Sequence, residues 1–139
     1  MNAVVTGAGS GIGRDVVQRF VARGVHVYAL GRRLDALEET AASTADPSLV
    51  TCLSTDVTDL GRMREAVETL DSVDFLVANA GICKQSRIDD PDADAVWKEV
   101  MSINVDGVWN SFRAVESKLS KGASCVVVSS GLGKNGRPG

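Results

Sequence analysis

The sequence predicts an α/β fold, a doubly wound parallel sheet with helices on both faces. Three observations carry that prediction. Short β-rich apolar runs alternate with stretches of helical periodicity, the order in which parallel strands are joined by crossover helices. The segments VHVYAL, DFLVA and CVVV are apolar throughout instead of alternating in and out, as strands covered on both faces are. A glycine cluster falls where the first strand gives way to the first helix.

The first strand is expected from Ala3 to Val5. The first helix runs from Ile12 to Arg23 and begins inside the glycine motif. A second strand from Val25 to Leu30 leads into a helix from Leu34 to Ala42, which Asp46-Pro47-Ser48 closes off as turn material. A third strand, from Leu49 to Leu53, precedes a helix from Leu60 to Leu70, and a fourth strand follows from Val73 to Ala78. Past the turn residues Asp89-Asp90-Pro91, one long helix is expected from Ala93 to Leu119. Its apolar stripe is Trp97, Met101, Val108, Phe112, Val115 and Leu119. Asn104 falls on the same stripe, and a buried amide without partners costs about 1–3 kcal/mol, so a hydrogen-bonded role is expected for it. A fifth strand spans Ser124 to Val128 and leaves an apolar edge. No repeat or linker interrupts this order, so residues 1–139 read as one domain, incomplete on its carboxyl-terminal side.

With 44% apolar residues, a chain of 139 has the material for one core. Its 18 acidic and 15 basic residues are spread along the chain, with a formal charge of −3 and no basic face, which argues against nucleic acid or membrane surface as partners. Cys52, Cys83 and Cys125 lack the paired spacing of a zinc or redox site, so no metal is expected and the thiols read as packed in a reducing compartment. The amino terminus enters a strand with no leader pattern, and no segment approaches about 18 uninterrupted apolar residues, so a cytoplasmic protein is expected.

The candidate site gathers at the carboxyl ends of the strands, where ligands sit in open parallel sheets. Gly7, Ser10, Gly11, Ile12 and Gly13 form a phosphate-binding loop opening a helix, whose amino terminus offers unbonded N–H groups and positive dipole. Gly7 serves the turn out of the strand, Gly11 the approach to a pyrophosphate, and Gly13 the packing of helix on sheet. Where an NAD site ends its second strand with a carboxylate, this chain has Gly31-Arg32-Arg33. Arg32 can meet a 2′-phosphate through charge-assisted hydrogen bonds, which favours NADP over NAD. Arg33 lies next to it, with Asp35 or Glu38 as an alternative partner. Asp56-Val57-Thr58-Asp59 follows the third strand and Asn79-Ala80-Gly81 the fourth. Asp59 could instead cap a helix and Gly81 turn the chain.

Thr6-Gly7-x-x-x-Gly11-Ile12-Gly13, Asp56-Val57, Asn79-Ala80-Gly81, Asn104 and Ser129-Ser130-Gly131 together resemble the short-chain dehydrogenase/reductase family, of the simple type, along the whole chain. The resemblance implies a Rossmann-type sheet and hydride transfer between NADP, or less readily NAD, and a small carbonyl or alcohol substrate. It places Asp56 and Val57 beside the adenine and Asn79, Ala80 and Gly81 on the cofactor side. Ser130, with Ser129 as its alternative, would stabilise developing negative charge on the substrate oxygen. Asn104 would hold a water linked to a lysine. The family's Tyr-x-x-x-Lys pair would lie beyond Gly139, so the 139-residue segment alone is expected to be inactive. A homodimer or homotetramer is implied for the complete protein. Tyr28 and His26 sit inside the second strand and read as packing residues. Trp97 and Trp109 read as helix packing, with a subunit contact as the alternative. Two other readings stay open. One is a dinucleotide-binding module without chemistry. The other is an S-adenosylmethionine methyltransferase, which expects an acid where this chain has Gly31-Arg32.

Overall fold

The computed structural model describes residues 1–131. Five strands form one parallel sheet in the order β3-β2-β1-β4-β5. They are β1 (Asn2–Thr6), β2 (His26–Gly31), β3 (Val50–Ser54), β4 (Val73–Ala78) and β5 (Leu119–Val127). The connecting helices are α1 (Gly11–Val21), α2 (Leu34–Ala42), α3 (Leu60–Ala66), α4 (Ala93–Met101) and α5 (Gly107–Val115).

The apolar strand runs have a direct cause in this sheet. Successive side chains point to opposite faces, and both faces are cores. Val4 enters one cluster with Leu30, Met63, Val67, Leu70, Leu76, Ile103 and Val115. Its neighbours Ala3 and Val5 enter the other, with Val17, Val21, Val27, Ala29, Leu37 and Val77. Each fully buried leucine contributes about 1.5–3 kcal/mol relative to exposure, so the two cores fix the strand register that aligns the loops above them.

The reversal of strand order lies between the neighbouring strands β1 and β4. That point divides connections running left from those running right and opens a crevice above the strands' carboxyl ends.

At the opposite end of the sheet, the Asn2 backbone N–H donates to Asp74 Oδ2 at 2.7 Å. This bond first, and the Ser120 hydroxyl second, hold the Asp74 carboxyl below its ordinary 3.8. The stability linked to it is complete above that ordinary value and is lost as pH falls through the lowered value of the folded protein. Asp74→Asn should therefore flatten the acid limb of an ellipticity-against-pH curve. An acid limb identical to the unmodified protein's would show that the carboxylate does not clip β1 to β4.

The long helix expected from Ala93 to Leu119 runs without a break only as far as Val115, and its middle departs from α-helical bonding. Between α4 and α5, residues Ser102–Asp106 form a π-helical turn, and after a 3₁₀ turn at Glu116–Lys118 Leu119 already belongs to β5. A π turn widens the hydrogen-bonded ladder and rotates the helix face that follows it. The buried residues of α5 are therefore Gly107, Ser111, Ala114 and Val115, and Trp97 and Trp109 are 65% and 62% exposed. The packing role expected of the two tryptophans is thus corrected. Trp109 instead carries the Arg113 guanidinium over its ring, 5.7 Å from the centroid. Helix α3 also stops short of Leu70, and past its end the Lys118 ammonium donates to the carbonyls of Glu68 and Leu70 at 2.7 and 2.6 Å.

The thiols differ from expectation too. Cys52 is half-buried, and burial with a smaller effect of Glu38 pushes its thiol up, whereas Cys83 and Cys125 are exposed. Cys125 is exposed because β5 is an edge strand among the described residues, with Val126 and Val127 also open.

Candidate functional site

The glycine loop is folded onto the end of β4. Gly7 leaves β1 at φ +65°, a left-handed conformation that only glycine adopts without strain. A Cβ there would lie 2.8 Å from Ala80 Cα. At Gly13 a Cβ would fall on the Gly7 carbonyl oxygen and 2.7 Å from Asn79 Nδ2. Asn79 is the clamp between the two segments. Its side-chain amide donates to the carbonyls of Thr6 and Gly7 at 3.0 and 3.3 Å. The N–H groups of Asn79 and Ala80 donate to Thr6 Oγ1 at 3.0 and 3.1 Å. Gly11, at φ +53°, is unlike these, since a Cβ on it would meet nothing within 4 Å. Gly7 and Gly13 are thus glycines of packing, while Gly11 keeps an open approach to the amino terminus of α1. Ser10, at the N-cap, makes no capping bond through its side chain, and Ile12 is 61% exposed beside it.

A residue that sequence reasoning missed ties this loop to α2. The Arg14 guanidinium donates to the Gly9 carbonyl at 2.9 Å, to Thr40 Oγ1 at 3.0 Å and to Glu39 at 3.2 Å. Thr40 in turn donates its hydroxyl toward the Ala8 and Ala36 carbonyls. A cation at the first turn of an amphipathic helix resembles any solvated charge, so its partners became visible only when α1 and α2 were placed side by side.

Two adjoining clefts open above the loop. The outer one, about 510 Å³, is lined by Gly7, Gly9, Ser10, Gly31, Arg32, Arg33, Ala36 and Leu37. The inner one, about 120 Å³, shares Gly7, Gly31 and Arg32 and adds Thr55, Asp56, Val57, Ala80, Gly81, Ile82 and Ile103. Arg32 therefore stands at the junction of the two. Neither Arg32 nor Arg33 forms an ion pair among the described residues. The pairing considered for Arg33 with Asp35 or Glu38 is not formed. Arg33 is the extended N-cap of α2 and not a member of it, so the helical spacing that aligns side chains does not apply. Glu39, one residue further on, is taken by Arg14.

Asp56 accepts from Thr58 N–H and Oγ1 at 2.9 and 2.8 Å, holding the turn after β3. Asp59 caps α3 by accepting from Arg62 N–H at 3.0 Å, the plainer of the two roles open to it. Val57 is 7% exposed and presses on Gly107, where a Cβ would lie 2.6 Å from its Cγ2. Asn110, also unseen in the sequence, donates to the Val57 carbonyl at 2.8 Å. Thr55 is 5% exposed, and its Oγ1 has no hydrogen-bond partner among the described residues. A buried group left in that state costs about 1–3 kcal/mol.

Asn104 lies in the π turn and is exposed, so the buried amide expected from the helix stripe is corrected. The π turn removed it from the face that packs. It nevertheless satisfies both halves of its amide. Nδ2 donates to the Ile82 carbonyl and Oδ1 accepts from the Ile82 N–H, each at 2.9 Å. The side chain mimics a neighbouring strand and holds the segment after Gly81 in place. Asn104→Asp removes the donor and sets a carboxylate against a carbonyl. Hydrogen exchange at the Ile82 amide should then quicken roughly tenfold, from the loss of about 1.4 kcal/mol. Exchange at the unmodified rate would show that the clasp is not holding the loop.

Ser129 and Ser130 are exposed just past β5, where Val128 N–H donates to the Ala78 carbonyl at 3.0 Å. Parallel pairing of β4 and β5 thereby sets both serines beside the Asn79-Ala80-Gly81 turn. His26 and Tyr28 pack ring to ring at 4.9 Å, with His26 Nε2 2.8 Å from Thr51 Oγ1, away from the clefts' lining. No cluster of metal-ligating side chains occurs among the described residues, and no helix among them is long and apolar enough to cross a membrane.

A family model for short chain dehydrogenases matches residues 1–139. Among curated proteins, the chain is 39% identical to a glycine betaine reductase of Emericella nidulans, over 99% of this chain and 11% of that protein. It is 36% identical to a galactitol 2-dehydrogenase (L-tagatose-forming) of Cereibacter sphaeroides, over 90% of this chain and 50% of that one. A solved structure of a short-chain dehydrogenase/reductase of Brucella melitensis, described as a glucose/ribitol dehydrogenase, superposes with a TM-score of 0.91 at 28% identity. That superposition covers 99% of this chain and 60% of the other. The chain thus spans about half the length, or less, of the curated relatives it matches.

Proposed function

This chain belongs to the short-chain dehydrogenase family, and on that premise we propose that the whole protein is an NADP-dependent oxidoreductase acting on a small carbonyl or alcohol compound. The observation that carries the cofactor preference is the end of β2. There Arg32 and Arg33, which form no ion pair among the described residues, line the cleft, and no carboxylate occupies the place where one would bind a ribose 2′-hydroxyl.

The residues present fit such a cofactor. Gly11 leaves its side-chain space open, and the amino terminus of α1 directs N–H groups and positive dipole to the same spot, which suits a pyrophosphate. Arg32, with Arg33 beside it, would hold the 2′-phosphate, and Asp56 and Val57 would border the base. Asn79, Ala80 and Gly81 would back the sugar nearest the sheet centre, on a turn fixed by Thr6. When bound, the nicotinamide gives hydride to a carbonyl carbon or takes it from an alcohol.

Ser130, or Ser129 in its place, would donate a hydrogen bond to the substrate oxygen as negative charge grows there. The proton for that oxygen would come from the tyrosine and lysine that the family resemblance sets beyond Gly139. Asn104 would keep the loop after Gly81 in register with that site and hold a water on the proton's route. A cytoplasmic homodimer or homotetramer belongs to the same proposal, with exposed Trp97 and Trp109 as surface available to a second copy.

Fluorescence titration separates binding from chemistry. NADPH should bind at least tenfold more tightly than NADH, and tighter NADH would refute the NADP assignment. Turnover of a panel of ketones and aldehydes by the whole protein tests the oxidoreductase. Binding without any turnover would favour a dinucleotide-binding module instead.

A further inference from the structure

We infer that Thr55 is a base-recognition residue, its hydroxyl kept out of the protein's own hydrogen bonding so that it can bond the nucleobase entering the inner cleft. The inference rests on reading the clefts as a dinucleotide site.

Four polar side chains are buried among the described residues: Thr6, Thr40, Thr55 and Ser111. Three of them are satisfied. Thr6 accepts from the backbone at the end of β4, Thr40 donates to carbonyls of the glycine loop and of α2, and Ser111 donates to Gly107. Thr55 alone keeps an orphaned oxygen. Hydroxyls on either side of it show that partners were within reach of this segment. Ser54 donates to the Arg32 carbonyl and Thr58 to Asp56. The Thr55 backbone is held firmly by its N–H, which donates to the Gly31 carbonyl at 3.0 Å. A valine would fill the same volume without an unmet polar atom, so the hydroxyl is a cost to folding.

The inner cleft says what it is kept for. Its walls include Val57, Ala80, Ile82 and Ile103, with Asp56 at the rim and the guanidinium of Arg32 toward the outer cleft. A narrow apolar slot of about 120 Å³ suits a flat ring with polar edges, whereas phosphates are drawn to the cations and helix amino terminus outside it. One Asp56 oxygen is already committed to Thr58, so a second group is needed to read a ring edge that both donates and accepts. Thr55 is itself part of the lining, and its oxygen is buried with no partner among the described residues. A turn of roughly 120° in χ1 carries the hydroxyl from one staggered position to another, so it can adjust to a ligand in the slot while the backbone stays fixed.

Thr55→Val and Thr55→Ser in the full chain test this by titration and thermal unfolding. Each is titrated with whichever of NADPH and NADH the unmodified protein binds more tightly, and with reduced nicotinamide mononucleotide, which has no adenine. Thr55→Val should weaken dinucleotide binding about tenfold, or 1.4 kcal/mol, leave the mononucleotide unaffected, and raise Tm by roughly 4 °C. Thr55→Ser should bind within about threefold of the unmodified protein, since it keeps the hydroxyl. Thr55→Val binding the dinucleotide as tightly as the unmodified protein overturns the inference while leaving the dinucleotide reading intact. So does equal weakening for both ligands with a lowered Tm, the mark of a purely structural residue. Failure of the unmodified protein to bind either dinucleotide would sink the cleft reading itself, and the inference with it.

Discussion

Gly13→Ala is expected to unfold the cofactor loop and to lower Tm by about 10 °C or more. The added methyl would occupy the position of the Gly7 carbonyl oxygen and crowd the Asn79 side-chain nitrogen at 2.7 Å. Those atoms cannot retreat independently, because the same Asn79 nitrogen donates to the Thr6 and Gly7 carbonyls. Overpacking typically costs 1–3 kcal/mol and each lost hydrogen bond about 1 more, so roughly 3 kcal/mol is a fair expectation. At this chain length that corresponds to about 10 °C. Gly11→Ala makes the contrast. Its methyl meets nothing within 4 Å, so only the φ of +53° opposes it, at about 1 kcal/mol. Gly11→Ala should therefore stay folded and lose dinucleotide affinity, because its methyl projects into the space a pyrophosphate would need. Thermal unfolding read beside NADPH titration separates the two glycines. A Gly13→Ala protein as stable as Gly11→Ala would contradict the packing argument.

The second large effect belongs to Arg32→Asp. Arg32 borders both clefts and forms no ion pair among the described residues, which leaves its charge for a ligand. One charge-assisted hydrogen bond to a 2′-phosphate is worth about 1.5–3 kcal/mol, and an aspartate would replace attraction by repulsion. NADPH affinity should drop by roughly 30- to 150-fold. NADH should bind at least as well as before, since aspartate can accept from a ribose hydroxyl. An equal loss for both dinucleotides would mean that Arg32 supports the fold or the pyrophosphate, and the NADP assignment would fail with it. The high exposure of Arg32 argues that the variant stays folded.

Much of the architecture was legible before any coordinates. The alternation of apolar runs with helical stretches already implied parallel strands, because runs such as VYAL and FLVA, with no in-and-out alternation of polar residues, belong to a sheet buried on both faces. The turn role of Gly7 and the packing role of Gly13 were readable for the same kind of reason. Tight backbone contact between strand and helix excludes a Cβ wherever the two are joined so closely. The end of β2 was readable because charge type survives any detail of side-chain placement.

What failed to be legible depended on contacts between distant segments. The stripe from Trp97 to Leu119 assumed an unbroken helical period, and the π turn at Ser102–Asp106 carried Asn104 off the buried face, while Trp97 lies ahead of that turn in α4, which buries no residue, and Trp109 follows it exposed in α5. No local residue type announces such a turn. The Asn104 clasp on Ile82, the Arg14 bolt from the glycine loop to α2 and the Asn110 bond to Val57 join residues 22, 25 and 53 positions apart. Thr55 was invisible for the opposite reason, since an absent partner can be recognised only when every neighbour is placed. The sequence alone determined the fold class and the charge at the end of β2, because periodicity, glycine and residue charge act through short stretches of chain. Tertiary structure alone decided which polar groups are satisfied and which remain for a ligand, because a hydrogen bond requires two groups within about 3 Å and chain order does not fix that distance.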